Sequence, residues 1–191
     1  KLKWIDSEKL ESLDESKVFK DISGILVAGG FGERGIEGKI KAITFARTRK
    51  IPFLGICLGM QLVLVEFARN VLGLKDAHST EFKPKTKNPV VFLIDEFINS
   101  AGEKQIRTQK SPLGGTMRLG AYECVIKPKS LLSEIYEGKK SINERHRHRF
   151  EANPRYKKDY EKNGLIISGE SSGLIEVVEL AKHPFFIGFT T

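Results

Sequence analysis

Pro52-Phe53-Leu54-Gly55-Ile56-Cys57-Leu58-Gly59-Met60-Gln61-Leu62 joins a short apolar run to a cysteine set between glycines, and an apolar helical pattern follows at once. Pro52 opens a strand that runs to Ile56. Leu58, Leu62, Val65, Phe67, Ala68 and Leu72 then recur at helical spacing, and the pattern stops near Gly73. A strand, a G-x-C-x-G turn and a helix in direct succession make the pattern of a nucleophile elbow, with sulfur in place of the serine oxygen. Glycines on either side permit a tight, strained turn that projects the thiol, and the helix N-terminus behind it favours thiolate over thiol. A cysteine that ends a buried strand also serves as a small hydrophobe, so the local pattern leaves both readings of Cys57 open.

Upstream, Gly24-Ile25-Leu26-Val27-Ala28 is a second apolar run that ends in glycines, as a buried parallel strand does. Gly29 to Gly35 read as a loop, and Ile40, Ile43, Phe45 and Ala46 among Lys39, Lys41, Arg47 and Arg49 predict the helix that crosses back. Downstream, shorter strands are expected at Pro89 to Ile94, Cys124 to Ile126, Leu165 to Ser168, Leu174 to Leu180 and Phe185 to Phe189. Helices are expected at Ser7 to Leu13, Ser130 to Tyr136 and Pro154 to Lys162. The alternation predicts an α/β fold class: an open, mostly parallel sheet flanked by helices, with added antiparallel strands.

At 191 residues and 40% hydrophobic content the chain is long enough for one domain with a sizeable core. No run of about 18 apolar residues is present to cross a bilayer, and the polar start Lys1-Leu2-Lys3-Trp4-Ile5-Asp6 lacks a signal-peptide core. A cytoplasmic location with no membrane partner is therefore expected. Two cysteines, Cys57 and Cys124, exclude both a disulfide framework and a four-cysteine zinc site. The formal charge of +8 is compatible with a nucleic-acid partner, a phosphorylated metabolite or a solvated surface. Its basic residues are dispersed, and the densest group, Arg145-His146-Arg147-His148-Arg149, has no interleaved aromatic residues, so no nucleic-acid partner is expected.

Gly30-Phe31-Gly32-Glu33-Arg34-Gly35 matches the dinucleotide fingerprint literally. That fingerprint also needs an acidic residue at the end of the second strand, where this chain has Cys57. A glycine turn beside a nucleophile has another use, because it lets backbone N–H groups approach a developing oxyanion. On a strand, Arg145, Arg147 and Arg149 would share one face, and Glu144, His146, His148 and Phe150 the other. The arginines suit carboxylates or phosphates, or form a plain exposed strand face. The paired histidines find no carboxylate or cysteine pattern to complete a ligand set, so no metal is expected.

These motifs occur in a fixed order with Asn70-Val71-Leu72-Gly73, Ser79-Thr80-Glu81-Phe82 and Gly114-Gly115-Thr116-Met117-Arg118-Leu119-Gly120. Together they resemble the glutaminase domain of CTP synthases, over essentially the whole chain. Gly-x-Cys-x-Gly is shared by many class I glutamine amidotransferases, whereas Gly-Gly-Thr-Met-Arg-Leu-Gly and Glu-Arg-His-Arg-His-Arg are specific to the CTP synthase branch. The resemblance implies a flavodoxin-like fold and a single glutaminase domain over 1–191. It also implies a reaction split between two domains: this one releases ammonia from L-glutamine, and an amidoligase domain of the same polypeptide uses ATP and Mg to convert UTP to CTP. No cofactor is implied in this domain, and the full enzyme is implied to be a tetramer. Cys57 would form the glutamyl thioester, with backbone at Gly30 and Leu58 at the oxyanion. Phe31, Gly59, Met60, Gln61, Glu81 and Arg149 would join Gly30 and Leu58 in holding glutamine, with Arg149 on its α-carboxylate and Glu81 on its α-ammonium. Phe31 would cover the site, and Met60 reads equally as core packing under the elbow.

The family's base and its orienting carboxylate lie in a His-Pro-Glu segment after the strand that here reads Phe185 to Phe189, and Thr190-Thr191 stand at that point. The expectation is thus a domain incomplete at its C-terminus and impaired in isolation. His183-Pro184-Phe185 looks similar but precedes the strand. Two rival readings remain: a glutamine-binding or regulatory module without turnover, and NAD-dependent oxidoreduction resting on the glycine pattern alone.

Overall fold

The computed structural model describes residues 1–93, 96–98, 104–106 and 117–190. In chain order its elements are α1 (Ser7–Ser12), α2 (Glu15–Val18), β1 (Ile25–Val27), α3 (Ile36–Arg49), β2 (Phe53–Ile56), α4 (Leu58–Asn70), β3 (Ala77–Ser79) and β4 (Asn88–Leu93). There follow β5 (Glu96–Ile98), β6 (Lys104–Ile106), β7 (Arg118–Ile126), α5 (Leu131–Ile135), β8 (Ser141–His148) and β9 (Phe150–Ala152). A 3-10 turn (Pro154–Tyr156), α6 (Lys157–Lys162), β10 (Leu165–Ser171), β11 (Leu174–Leu180) and β12 (Phe186–Phe189) complete it.

Seven strands form the main sheet in the order β1-β2-β12-β11-β10-β7-β8. The α/β class stands, but the added antiparallel strands outnumber the parallel ones. Parallel register holds only from β1 to β2, with Val27 level with Gly55, and from β2 to β12, with Ile56 level with Phe189. The other four pairings are antiparallel; short connections account for β10–β11 and β11–β12, since a parallel return needs a crossover of a dozen or more residues, whereas β7 reaches β8 through α5. At the β10–β11 turn, for example, Ser172 and Gly173 both take positive φ. A second sheet, β3-β4-β9, and the antiparallel pair β5–β6 account for the remaining described strands.

The predicted central helix is α4, and every residue from Leu58 to Ala68 is buried. It is mostly apolar because it is covered on all sides, and its two buried polar side chains are paired, Gln61 with the Phe150 carbonyl and Glu66 with Arg47. Val27, Phe53 and Phe186 of the main sheet, Ile40, Ile43 and Ala46 of α3, Val90, Val91 and Ala152 of the small sheet and Tyr160 of α6 belong to its core. Phe53 and Phe186 stack at 4.5 Å, and the Tyr160 hydroxyl donates to the Leu64 carbonyl at 3.0 Å. On the opposite face of the sheet Cys124, Ile126, Ile142, Val177 and Ile187 pack with Leu132 of α5. Leu10 and Phe19 pack α1 and α2 onto Ala42 of α3.

Every predicted helix and strand is present within a few residues, although Ile94 lies outside the described residues. The strand expected at Cys124 to Ile126 instead begins at Arg118, and that expected at Leu165 to Ser168 runs on to Ser171. No helix among the described residues is long and apolar enough to cross a membrane.

Candidate active site

Cys57 sits between β2 and α4 with φ 51° and ψ −105°, a left-handed φ that non-glycine residues rarely hold. Hydrogen bonds on both sides of the residue hold it there. The Cys57 N–H donates to the Phe189 carbonyl of β12 at 2.7 Å, and the Cys57 carbonyl accepts the Gln61 N–H at 3.1 Å. Gly59 lets the first turn of α4 lie on β1, where a Cβ would stand 2.1 Å from the Val27 carbonyl oxygen. Gly55 is needed for the same packing, since a Cβ there would come within 2.9 Å of the Gly59 backbone. The G-x-C-x-G spacing is thus a requirement of strand-to-helix contact as well as of the turn.

The thiol opens into a cleft of about 130 Å³. Gly30 and Phe31, from the loop after β1, and Leu58 line it beside Cys57. Facing them are Gln61, Glu81 in the turn after β3, Met117 before β7, and His148, Arg149 and Phe150 at the β8–β9 corner. The cleft therefore carries a thiol, a carboxylate and a guanidinium. Burial raises the Glu81 carboxyl above its ordinary range, and Arg149 partly offsets that. Gln61 uses its side-chain N–H to hold the Phe150 carbonyl at 3.1 Å, which ties α4 to the far wall.

The thiol was expected to gain thiolate character from the helix N-terminus. Its pKa is instead raised, first by burial and further by Glu81 and Glu151, while the Leu58 backbone N–H that donates to it acts in the opposite direction. One backbone dipole does not outweigh desolvation and two carboxylates. On its own the thiol therefore stays protonated at neutral pH.

Behind the cleft lies a buried polar cluster. As the alternation predicted, His146 and His148 face inward from β8 while Arg145 and Arg147 are exposed. His146 Nδ1 lies 2.8 Å from His148 Nε2, and Glu176 of β11 brings a carboxylate to them. Sequence alone found no third ligand, and these three side chains do place ligand atoms within 4.8 Å of one another. Arg118 already occupies that carboxylate at 2.5 Å, and its charge, after burial, helps to hold His146 near pKa 3. A guanidinium in this position opposes a cation, so the set reads as an ion-pair network.

Cys57, Gly30, Phe31, Leu58, Gln61, Glu81 and Arg149 are all brought to one cleft. Gly59 and Met60 are not: Gly59 rests against Val27, and Met60 is fully buried beneath the elbow, against Gly188 of β12. The packing alternative for Met60 is the one the structure takes. Phe31 stands 73% exposed at the rim. Met117, His148 and Phe150 also line the cleft and were not assigned to it; the sequence signal was that Met117 and His148 belong to quoted motifs and Phe150 adjoins Arg149. Gly114 to Thr116 of the Gly-Gly-Thr-Met-Arg-Leu-Gly motif lie outside the described residues. Cys124 is buried beside Gly169, and burial lifts its thiol to about 12, as befits packing. His183 precedes β12, its ring bonded to the Ala46 carbonyl at 3.1 Å, at the end of the strand remote from Cys57.

A model of the family "Glutamine amidotransferase class-I" matches residues 1–189. A CTP synthase of Campylobacter jejuni is 73% identical over 186 residues, covering 97% of this chain and 34% of its own length. One of Helicobacter hepaticus is 60% identical over 187 residues, 98% of this chain and again 34% of its own. The chain therefore spans about a third of the length of these relatives. Among solved structures, the Trypanosoma brucei CTPS glutaminase domain with bound acivicin superimposes with a TM-score of 0.88 at 34% identity, over 100% of this chain and 71% of that one. A putative GMP synthase subunit from Thermoplasma acidophilum, at 11% identity and TM-score 0.57, shares the fold alone. With the whole described chain matched at both levels, it belongs to the class-I glutamine amidotransferase family, as the glutaminase domain of its CTP synthase branch.

Proposed function

We propose that this chain hydrolyses L-glutamine through a Cys57 thioester and supplies the ammonia to a second domain of the same polypeptide that makes CTP from UTP. The observation that carries the reading is the convergence of the strained thiol with Glu81 and Arg149 in one cleft. Glutamine bears a carboxylate and an ammonium at one end and an amide at the other. Arg149 suits the first, Glu81 the second, and Cys57 the third.

Attack of the sulfur on the amide carbon forms a tetrahedral oxyanion, which the backbone N–H groups of Gly30 and Leu58 would stabilise. Collapse expels ammonia and leaves the glutamyl thioester, and water then releases glutamate. The carboxyl end of β12 is level with Cys57, so a His-x-Glu segment following that strand, as the resemblance implies, would reach the thiol to move these protons. ATP and Mg would serve in the second domain, where UTP is activated.

The deciding experiment compares glutamine with free ammonia as nitrogen source for CTP formation in the full-length polypeptide carrying Cys57→Ala. Loss with glutamine and retention with ammonia is the expected result. Equal loss with both would give Cys57 a role in the fold or in domain coupling instead.

A further inference from the structure

Glu176 is 1% exposed on β11 and does not line the cleft, yet both walls of the cleft end on its side chain. Thr190 Oγ1 donates to its Oε2 at 2.5 Å, and the Thr190 N–H to its backbone carbonyl at 3.0 Å. Thr190 follows Phe189, whose carbonyl fixes the Cys57 N–H. On the other oxygen, Arg118 Nη1 donates to Oε1 at 2.5 Å. Arg118 follows the cleft residue Met117, pairs in register with His148, and reaches to 3.8 Å from Glu151. Glu151 in turn follows Phe150, whose carbonyl anchors Gln61 and lies 3.2 Å from His148 Nδ1.

We infer that Glu176 is a positioning residue, which sets the span between the Cys57 wall and the Arg149 wall to the length of a glutamine. The inference rests on the proposed glutaminase reading. A substrate clamped at its α-carboxylate by Arg149 meets the sulfur only if the two walls keep a fixed separation, and a misplacement of about 1 Å is enough to lose about 10²-fold in rate. A carboxylate suits this position because each oxygen accepts from a different wall. An amide has one acceptor oxygen, so it satisfies one wall as an acceptor and turns its N–H groups toward the other.

The test uses the full-length polypeptide with Glu176→Gln, Thr190→Val and Thr190→Ser, each alone and with Arg149→Ala. Thr190→Val leaves the Arg118–Glu176 pair whole, so it carries the test if Glu176→Gln does not fold. Steady-state glutamine hydrolysis is measured beside labelling of Cys57 by iodoacetamide, a neutral electrophile with no carboxylate to clamp. Glu176→Gln and Thr190→Val are expected to lower kcat/KM for glutamine about tenfold or more, and Thr190→Ser to restore it, with iodoacetamide labelling within about twofold. In the Arg149→Ala background the further loss is expected to shrink below about threefold, because the span no longer matters once one end is unclamped. Unchanged kcat/KM overturns the inference. So does a parallel fall in iodoacetamide labelling, which marks damage to the elbow, or an equal loss with and without Arg149. A wild-type polypeptide that does not hydrolyse glutamine removes the proposed function itself, and this inference with it.

Discussion

Gly59→Ala is the substitution that most directly probes how α4 is seated. The added Cβ would stand 2.1 Å from the Val27 carbonyl oxygen and 3.1 Å from its carbon, both backbone atoms that cannot rotate away. Ordinary contact requires the first turn of α4 to withdraw by more than about 1 Å. The helix has no room to do so cheaply, because it is buried from Leu58 to Ala68. Overpacking of this kind costs about 1–3 kcal/mol or more, which in a chain of this size lowers Tm by about 2–4 °C per kcal/mol. Cys57 moves with the turn, so glutamine hydrolysis falls by about 10²-fold even in the molecules that remain folded. Thermal unfolding and steady-state hydrolysis on the same preparation test both halves. Gly30→Ala is the control, because its Cβ would meet only Leu58 Cδ2 at an unstrained 3.7 Å, and it is expected to melt like the wild type. A Gly59→Ala protein with wild-type Tm and rate would refute the close-approach account of the motif.

Arg149→Ala is expected to raise KM for glutamine far more than it lowers kcat, by about 1.5–3 kcal/mol of binding, or about 10- to 150-fold; a large fall in kcat at unchanged KM would place Arg149 at the reacting amide. Glu81→Gln removes a charge that raises the Cys57 pKa, so the pH profile of iodoacetamide labelling should move to lower pH, and an unmoved profile contradicts the assignment. His146 is held near 3 in the fold against 6.5 when free, so between those values the unfolded chain binds the proton and the folded chain does not. Stability through this group therefore falls as pH drops from about 6.5 toward 3. Glu176, whose pKa burial raises, acts in the opposite sense above its ordinary value. His146→Asn should flatten the decline of Tm between pH 7 and 4, and an unchanged slope would show that other groups set it.

The elbow, its strand and its helix were legible because backbone geometry restricts the residue types there: Gly59 and Gly55 have no room for a Cβ, and α4 is mostly apolar because it is enclosed. The first half of β7 was not legible. Its inward series begins with Arg118, a buried charge whose partner Glu176 lies 58 positions away. A hydrophobicity pattern registers such a residue as surface. Glu176 is also the carboxylate beside His146 and His148, and it is on another strand, too far along the chain for a local pattern to find. The raised thiol pKa was missed for a related reason, since the burial of Cys57, and after it the approach of Glu81 and Glu151, come about only through the fold. Met60 does not line the cleft because adjacent helical positions point in different directions, and its own direction is toward Gly188.

β12 comes last in sequence among the described strands but third in space, between β2 and β11. During synthesis the two halves of the main sheet therefore wait apart, with β2 and β11 each presenting an unpaired inner edge, until this strand emerges and inserts. The Cys57 N–H gains its partner only then, because that partner is the Phe189 carbonyl. A ribosome-bound chain that stops short of Phe186 has a thiol without a fixed turn, so the elbow is assembled only once β12 is in place.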